Sequence, residues 1–142
     1  EIVVRASLRL EAAPVERVRQ TIDAMRARRH EAQPQGIKTF GSTFTNPGDP
    51  GAQGRTAGQL LADAGCAGLA VGGARFAPKH ANFVENTGSA TTADIVELMA
   101  AGRARVLERF GVALEPEAQT LGPVRFPWRS PDAGAREIAG SS

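Results

Sequence analysis

Residues 2–10 alternate, with Ile2, Val4, Ala6, Leu8 and Leu10 on one side and Val3, Arg5, Ser7 and Arg9 on the other. That is the period of a half-buried strand. Pro14 then suits a first helical turn, and Val15, Val18, Ile22 and Met25 recur at spacings of three and four. The pattern predicts an amphipathic helix over 14–30 whose arginines face water, ended by Gln33, Pro34 and Gly36. Between residues 36 and 54 no helical period survives, and Ser42, Thr43, Thr45 and Asn46 are held among glycines and prolines. This stretch reads as a shaped loop on short extended pieces, with a plain solvent-exposed turn as the alternative. Ala57, Leu60, Leu61 and Ala64 then mark a short helix over 56–64, stopped by Gly65. Leu69–Val71 follows as a brief buried strand. Residues 75–84 read as an extended segment interrupted by Pro78, with Lys79 and His80 near one end and Phe83 packing inward.

The clearest helix begins after Thr91, whose spacing to Asp94 is that of a capping box. Ile95, Leu98, Met99, Val106 and Phe110 form its apolar stripe, and Gly111 closes it. Gly102 on that stripe costs about 1 kcal/mol of helix propensity against alanine, so a strand or the preceding helix is expected to approach closely there. Val112–Leu114 and Ala118–Leu121 read as extended pieces around Glu115–Pro116–Glu117, and periodicity ends after Gly122. The expectation is an α+β domain over 1–122, a small mixed sheet with about three packed helices. A tail over 123–142 follows, with Phe126 and Trp128 docking on the domain and its last residues disordered.

A chain of 142 residues is long enough for one ordinary core without disulfides or a structural metal. Its one cysteine, Cys66, sits among small residues and reads as a buried thiol. A formal charge of +2 does not argue for a nucleic-acid partner. Arg17, Arg19, Arg26, Arg28, Arg29 and His30 are interleaved with Glu16, Asp23 and Glu31 and lack stacking aromatics, so they read as a solvated helix face, with an anion-facing patch as the alternative. No stretch approaches the roughly 20 apolar residues of a membrane span, and the first residues lack a signal-peptide layout. A cytoplasmic protein with neither membrane nor nucleic-acid partner is expected. The absence of an initiating methionine makes a processed chain or a fragment plausible.

Zinc-hydrolase, paired-cysteine and phosphate-loop motifs are absent, and His30 and His80 are too few for a metal site. Ser42, His80 and Asp63 or Asp94 could be drawn as a triad, but Ser42 is not in a nucleophile elbow. Three polar islands remain: Gly41 to Pro47, Lys79 to Asn82, and Glu115 to Glu117. Brought together by a sheet, they would offer a hydroxyl, an amide, an ammonium and a carboxylate, enough to bind an anionic sugar ligand and donate a proton.

Four stretches carry a resemblance: GSTFTNP from Gly41, AGQLLADAGCAG from Ala57 with VGGA from Val71, KHANFVENTG from Lys79 with Ala93–Asp94, and LEPE from Leu114 with Leu121–Gly122. In order and spacing, over roughly residues 1–122, they resemble the C-terminal part of UDP-N-acetylenolpyruvoylglucosamine reductase (MurB), a flavoenzyme family of peptidoglycan synthesis. Because the chain has no tyrosine, the compact second subtype is the better match. The resemblance implies a substrate-binding domain that closes over FAD held by a separate region, with NADPH as reductant. The implied oxidoreductase reduces the enolpyruvyl ether of UDP-N-acetylglucosamine to UDP-N-acetylmuramate, for cell-wall synthesis and cell division. By motif match it makes Ser42 the proton donor and Glu117 its supporting carboxylate, puts Asn46 beside the diphosphate, and adds Arg29 as a further substrate contact. Lys79, His80 and Asn82 fall on the substrate side, and no residue is assigned to the cofactor. Two departures bear on phosphate binding: Thr45 stands where many relatives carry lysine, and Ala118–Gln119–Thr120 replaces the usual valine–arginine pairing. Since the FAD-binding region lies outside these residues, no turnover by this chain alone is expected. A UDP-sugar-binding module or an interaction domain without catalysis are the alternatives.

Overall fold

The structure, a computed structural model, describes residues 3–32, 36–120 and 122–128. The chain divides into two compact units, Glu1–Gln33 and Pro34–Ser142. In the first, the helix α1 (Val15–Ala32) forms where the periodicity places it, with Glu16 in its first turn and Arg29 and His30 in its last, the signs that suit the helix dipole. Its apolar stripe is not covered: Val15, Val18, Ile22 and Met25 are 42–63% exposed. The strand expected over 2–10 is absent from the described residues, because no neighbouring strand pairs with them. Val3, Val4, Leu8 and Leu10 are exposed instead, and alternation without a partner edge leaves backbone groups to water. The expected stop at Gln33–Pro34 lies outside the described residues.

The second unit carries the strands β1 (Lys38–Ser42), β2 (Ala70–Val71), β3 (Ala74–Phe76) and β4 (Phe83–Asn86), and the helices α2 (Ala57–Asp63) and α3 (Thr92–Phe110). The sheet order is β1-β4-β3-β2. The α+β class with three helices and a small sheet is as expected. Every strand pairing is antiparallel, however, where a mixed sheet was expected. Short loops explain two of the three pairings: Gly72–Gly73 joins β2 to β3 as a tight hairpin, and six residues join β3 to β4, too few for a parallel crossover. Thr91 and Asp94 form the expected capping box, and Gly111 closes α3 in the left-handed conformation. Thr56 and Gln59 make a second capping box at the start of α2.

One face of the sheet supplies Ala74, Phe76 and Val84 to a core that α2 fills with Leu60 and Leu61, and α3 with Leu98, Met99 and Val106. Gly102 explains the fit, since a Cβ there would sit 2.7 Å from the Phe76 ring and 3.1 Å from Leu61. Cys66 is buried in this core, and that burial raises its thiol pKa against a smaller opposing pull from Arg105. Val112 and Leu114 are buried but form no strand, and among the described residues the pairing near them is an isolated bridge between Phe44 and Pro116. Among residues 118–120 the expected extended piece forms no strand either, and Leu121 lies outside the described residues. Phe126 belongs to the core and stacks on Trp128. The expected disorder at the chain end falls on residues 129–142, outside the described residues.

Candidate functional site

The segment following β1 is tied on both sides by backbone bonds. Thr43 N donates to Asn82 O at 2.8 Å on the β4 side, and Thr43 O accepts from Glu117 N at 2.9 Å on the other. Thr45 N donates to Glu115 O at 2.9 Å, which makes Phe44 and Pro116 a facing pair with a hydrogen bond on either side of it. Proline has no N–H to offer, so it fits this position at no cost in hydrogen bonds. The serine turn and the late glutamate therefore lie on adjacent antiparallel backbones, Glu117 bonded to the residue after Ser42. Ser42 is partly buried and Glu117 exposed.

Ser42 pairs in register with Phe83, after a break in the β1 ladder between Thr39 and Ser42. Phe83 is buried yet stands outside the core cluster, so the pair belongs to the sheet face turned away from α2 and α3. On the same face, Glu85 lies between Thr39 and Arg75, and both Nε and Nη2 of Arg75 donate to its Oε2 at 3.0 and 2.6 Å. The Glu85 side chain is only 8% exposed, so this partner is what makes its burial tolerable. Sequence reading missed the pair because cross-strand contact depends on register, which no local pattern reports.

Asn82 is buried, and its side chain clamps one residue: Oδ1 accepts from Phe44 N at 2.9 Å and Nδ2 donates to Phe44 O at 2.8 Å. Its amide thus shapes the serine turn. His80 stands edge-on to Phe83 with ring centroids 4.9 Å apart, and its Nδ1 accepts from Asn82 N at 3.3 Å, which leaves the proton of a neutral ring on Nε2. Lys79 and His80 border a cleft of about 210 Å³ with Thr56, Gly58 and Gln59 of the α2 start. Asn46 turns its Oδ1 to the backbone N of Ala57 at 3.1 Å, leaving its amide N–H groups as the donors a ligand could use. Thr45 donates its hydroxyl to Glu115 O at 3.2 Å and so reinforces the same strand pair.

The structure thus joins Ser42, Asn82 and Glu117 through the backbone of Thr43 and Phe44, and sets His80 against Phe83 beside them. Arg29 lies in α1, in the other unit. An apolar groove of about 450 Å³, walled by Phe40, Val96, Met99, Ala118 and Phe126, opens beside the residue after Glu117 and is separate from the cleft of Lys79 and His80. Among the described residues no cluster of His, Cys, Asp and Glu could hold a metal ion, and no helix is long and apolar enough to cross a membrane.

Residue 94 joins this unit's turns. Asp94 Oδ2 accepts from Gly73 N and Thr91 N, and hydrogen bonds from Thr91 N first, then Gly73 N and the Thr91 hydroxyl, hold its carboxyl below the ordinary range. Gly73 is needed there, since a Cβ would come within 2.3 Å of the Ala90 backbone.

Comparison with known proteins identifies a family. The family model of the UDP-N-acetylenolpyruvoylglucosamine reductase C-terminal domain matches residues 33–121. A UDP-N-acetylenolpyruvoylglucosamine reductase of Anaeromyxobacter dehalogenans (strain 2CP-C) is 45% identical over 121 residues, covering 85% of this chain and 35% of that protein. One from Heliobacterium modesticaldum is 40% identical, over 85% of this chain and 37% of its own length. The crystal structure of the reductase from Thermus caldophilus superposes with a TM-score of 0.62 at 32% identity, covering 78% of this chain and 37% of that one. The chain thus spans about a third of the length of the curated relatives it matches.

Proposed function

Because the chain belongs to the family of the UDP-N-acetylenolpyruvoylglucosamine reductase C-terminal domain, we propose that it is the substrate-binding, proton-delivering part of such a reductase, acting in the cytoplasm in peptidoglycan synthesis. The observation that carries this reading is the antiparallel tie that sets Glu117 beside the Ser42 turn. Bound FAD, reduced by NADPH, supplies the hydride in this reaction class. Ser42 lies on the sheet face turned away from α2 and α3, and the flavin itself would be held by a separate FAD-binding region.

The role of this chain is the proton and the anion. An alkyl hydroxyl is a poor acid in water, so Ser42 serves as donor to C2 of the enolpyruvyl group only toward a developing carbanion in a dry, preorganised pocket. Glu117 supports that transfer within hydrogen-bond reach, directly or through one water. Asn46 offers its amide N–H groups to the substrate diphosphate, and Lys79 and His80 Nε2 offer donors to its anionic groups, while Arg29 is assigned to the substrate by motif match alone. Asn82 contributes by holding the backbone of Phe44, and with it the turn that carries Ser42.

Fusing this chain to a matching FAD-binding region tests the reading. Ser42→Ala and Glu117→Gln are each expected to lower product formation by about 10²–10⁴-fold, the usual contribution of a positioned acid or base, while NADPH still reduces the flavin. Equal product formation in the parent and both variants would end it.

A further inference from the structure

We propose that residues 122–128 form a strap that fixes the segment carrying Glu117, with Trp128 and Arg103 as positioning residues. The proposal relies on the reductase reading only for the role of Glu117. The matched family domain ends at residue 121, yet the chain beyond it is built into this unit: Phe126 is 6% exposed, belongs to the core cluster, and stacks on Trp128 with ring centroids 5.1 Å apart. Trp128 in turn lies against Arg103 of α3, whose guanidinium carbon is 5.6 Å from the ring centroid, within cation–π range.

Arg103 connects the strap to the site. Its Nε donates to Leu114 O at 2.9 Å, and Nη2 stands 3.9 Å from Glu115 Oε1. The carboxylate contact is long and half-exposed, so it adds little; the bond to the Leu114 carbonyl is the firm one. Leu114 and Glu115 lead directly into Glu117, and among the described residues the backbone bonds that pair this segment with the serine turn are Thr45 N to Glu115 O and Glu117 N to Thr43 O. Two bonds at one isolated bridge are a weak ladder. Arg103, covered by the Trp128 ring and 18% exposed, adds a further anchor to the Thr45 hydroxyl bond and the buried Leu114 side chain.

The ring face of Trp128 does this, not its N–H. Nε1 is buried without a hydrogen-bond partner among the described residues, so phenylalanine should replace tryptophan without losing a bond. The groove beside Ala118, walled in part by Phe126, lies along the same strap, so loosening the strap would open that wall and free the backbone next to Glu117.

Amide hydrogen exchange in the full chain reads the proposal directly. Trp128→Ala is expected to speed exchange at Glu117 and Thr45 by about tenfold or more, leave Phe76 of the sheet and Ala77 just after it unchanged, and be rescued by Trp128→Phe. Arg103→Met keeps the apolar stem and removes the bond to Leu114; it is expected to reproduce the same local loss and serves if Trp128→Ala fails to fold. Unchanged exchange at both site amides, or equal acceleration at Phe76 and Ala77, would overturn the strap. In the fused reductase, Trp128→Ala should lower kcat for product formation about tenfold, with flavin reduction intact and KM little changed. A fused parent without activity would remove the reductase reading, while the exchange contrast would still decide the strap.

Discussion

The helices α1 and α3 have nearly the same length, 18 and 19 residues, and both carry apolar positions at helical spacing. Their fates differ. The α3 stripe closes on α2, β2 and β3, with Leu98, Met99 and Val106 at 0–1% exposure, while Val15, Val18, Ile22 and Met25 of α1 remain open. Periodicity therefore predicts that a helix forms and which face is apolar, but not whether anything covers that face. Stripe composition helps separate the two: α3 interleaves Gly102 and alanines among its large residues, which allows close approach, whereas α1 surrounds a thinner stripe with arginines.

Truncation on each helix tests this contrast most strongly. Leu98→Ala is expected to lower unfolding stability by about 2–5 kcal/mol, because it leaves a cavity in a closed core. Ile22→Ala should change it by no more than about 0.5 kcal/mol, as for an open position. Urea unfolding of both variants measures the difference, and comparable losses would erase the distinction drawn between the two helices.

A sharper probe reverses the usual propensity rule. Gly102→Ala would gain helix propensity in isolation, yet its Cβ would press on the buried Phe76 ring. We expect a net loss of about 1–3 kcal/mol from overpacking, read from the thermal or urea midpoint; a gain would mean that the α3–β3 approach is looser than described.

The smallest effect is acid-dependent and arises at the start of α3. The carboxyl of Asp94 titrates below its unfolded value because Thr91 N, Gly73 N and the Thr91 hydroxyl donate to it. Its contribution is therefore fully present above the unfolded pKa and is lost as pH falls through the lower folded pKa. Asp94→Asn should flatten the fall in stability on acidification. Denaturant midpoints measured across the acid range in parent and variant check the sign, and parallel curves would contradict it.

Much of the fold was legible locally. Thr91 to Asp94 announces a capping box, Gly111 a left-handed stop, and the spacing of Leu98, Met99 and Val106 a buried face, because each depends on residues within a few positions of one another. The strand expected over 2–10 shows the limit of the same logic, since alternation satisfies the pleat but not the need for a partner edge. In the site, the short motifs drew attention to Ser42, Asn82 and Glu117, but their association depends on contacts across roughly 35 to 75 positions of chain. Arg103 was passed over entirely, because its importance lies in a carbonyl eleven residues away and in a ring beyond the recognised domain.

The sequence by itself determined the helices, the caps and the turn chemistry, because these are set by backbone preferences and side-chain spacing along one stretch of chain. Only the tertiary structure decided the β1-β4-β3-β2 order, the register that seats Ser42 opposite Phe83, the clamp of Asn82 on Phe44 and the incorporation of Phe126 into the core. Those contacts are held by hydrogen bonds and burial between distant segments, and their free energy exists only once the chain has closed on itself.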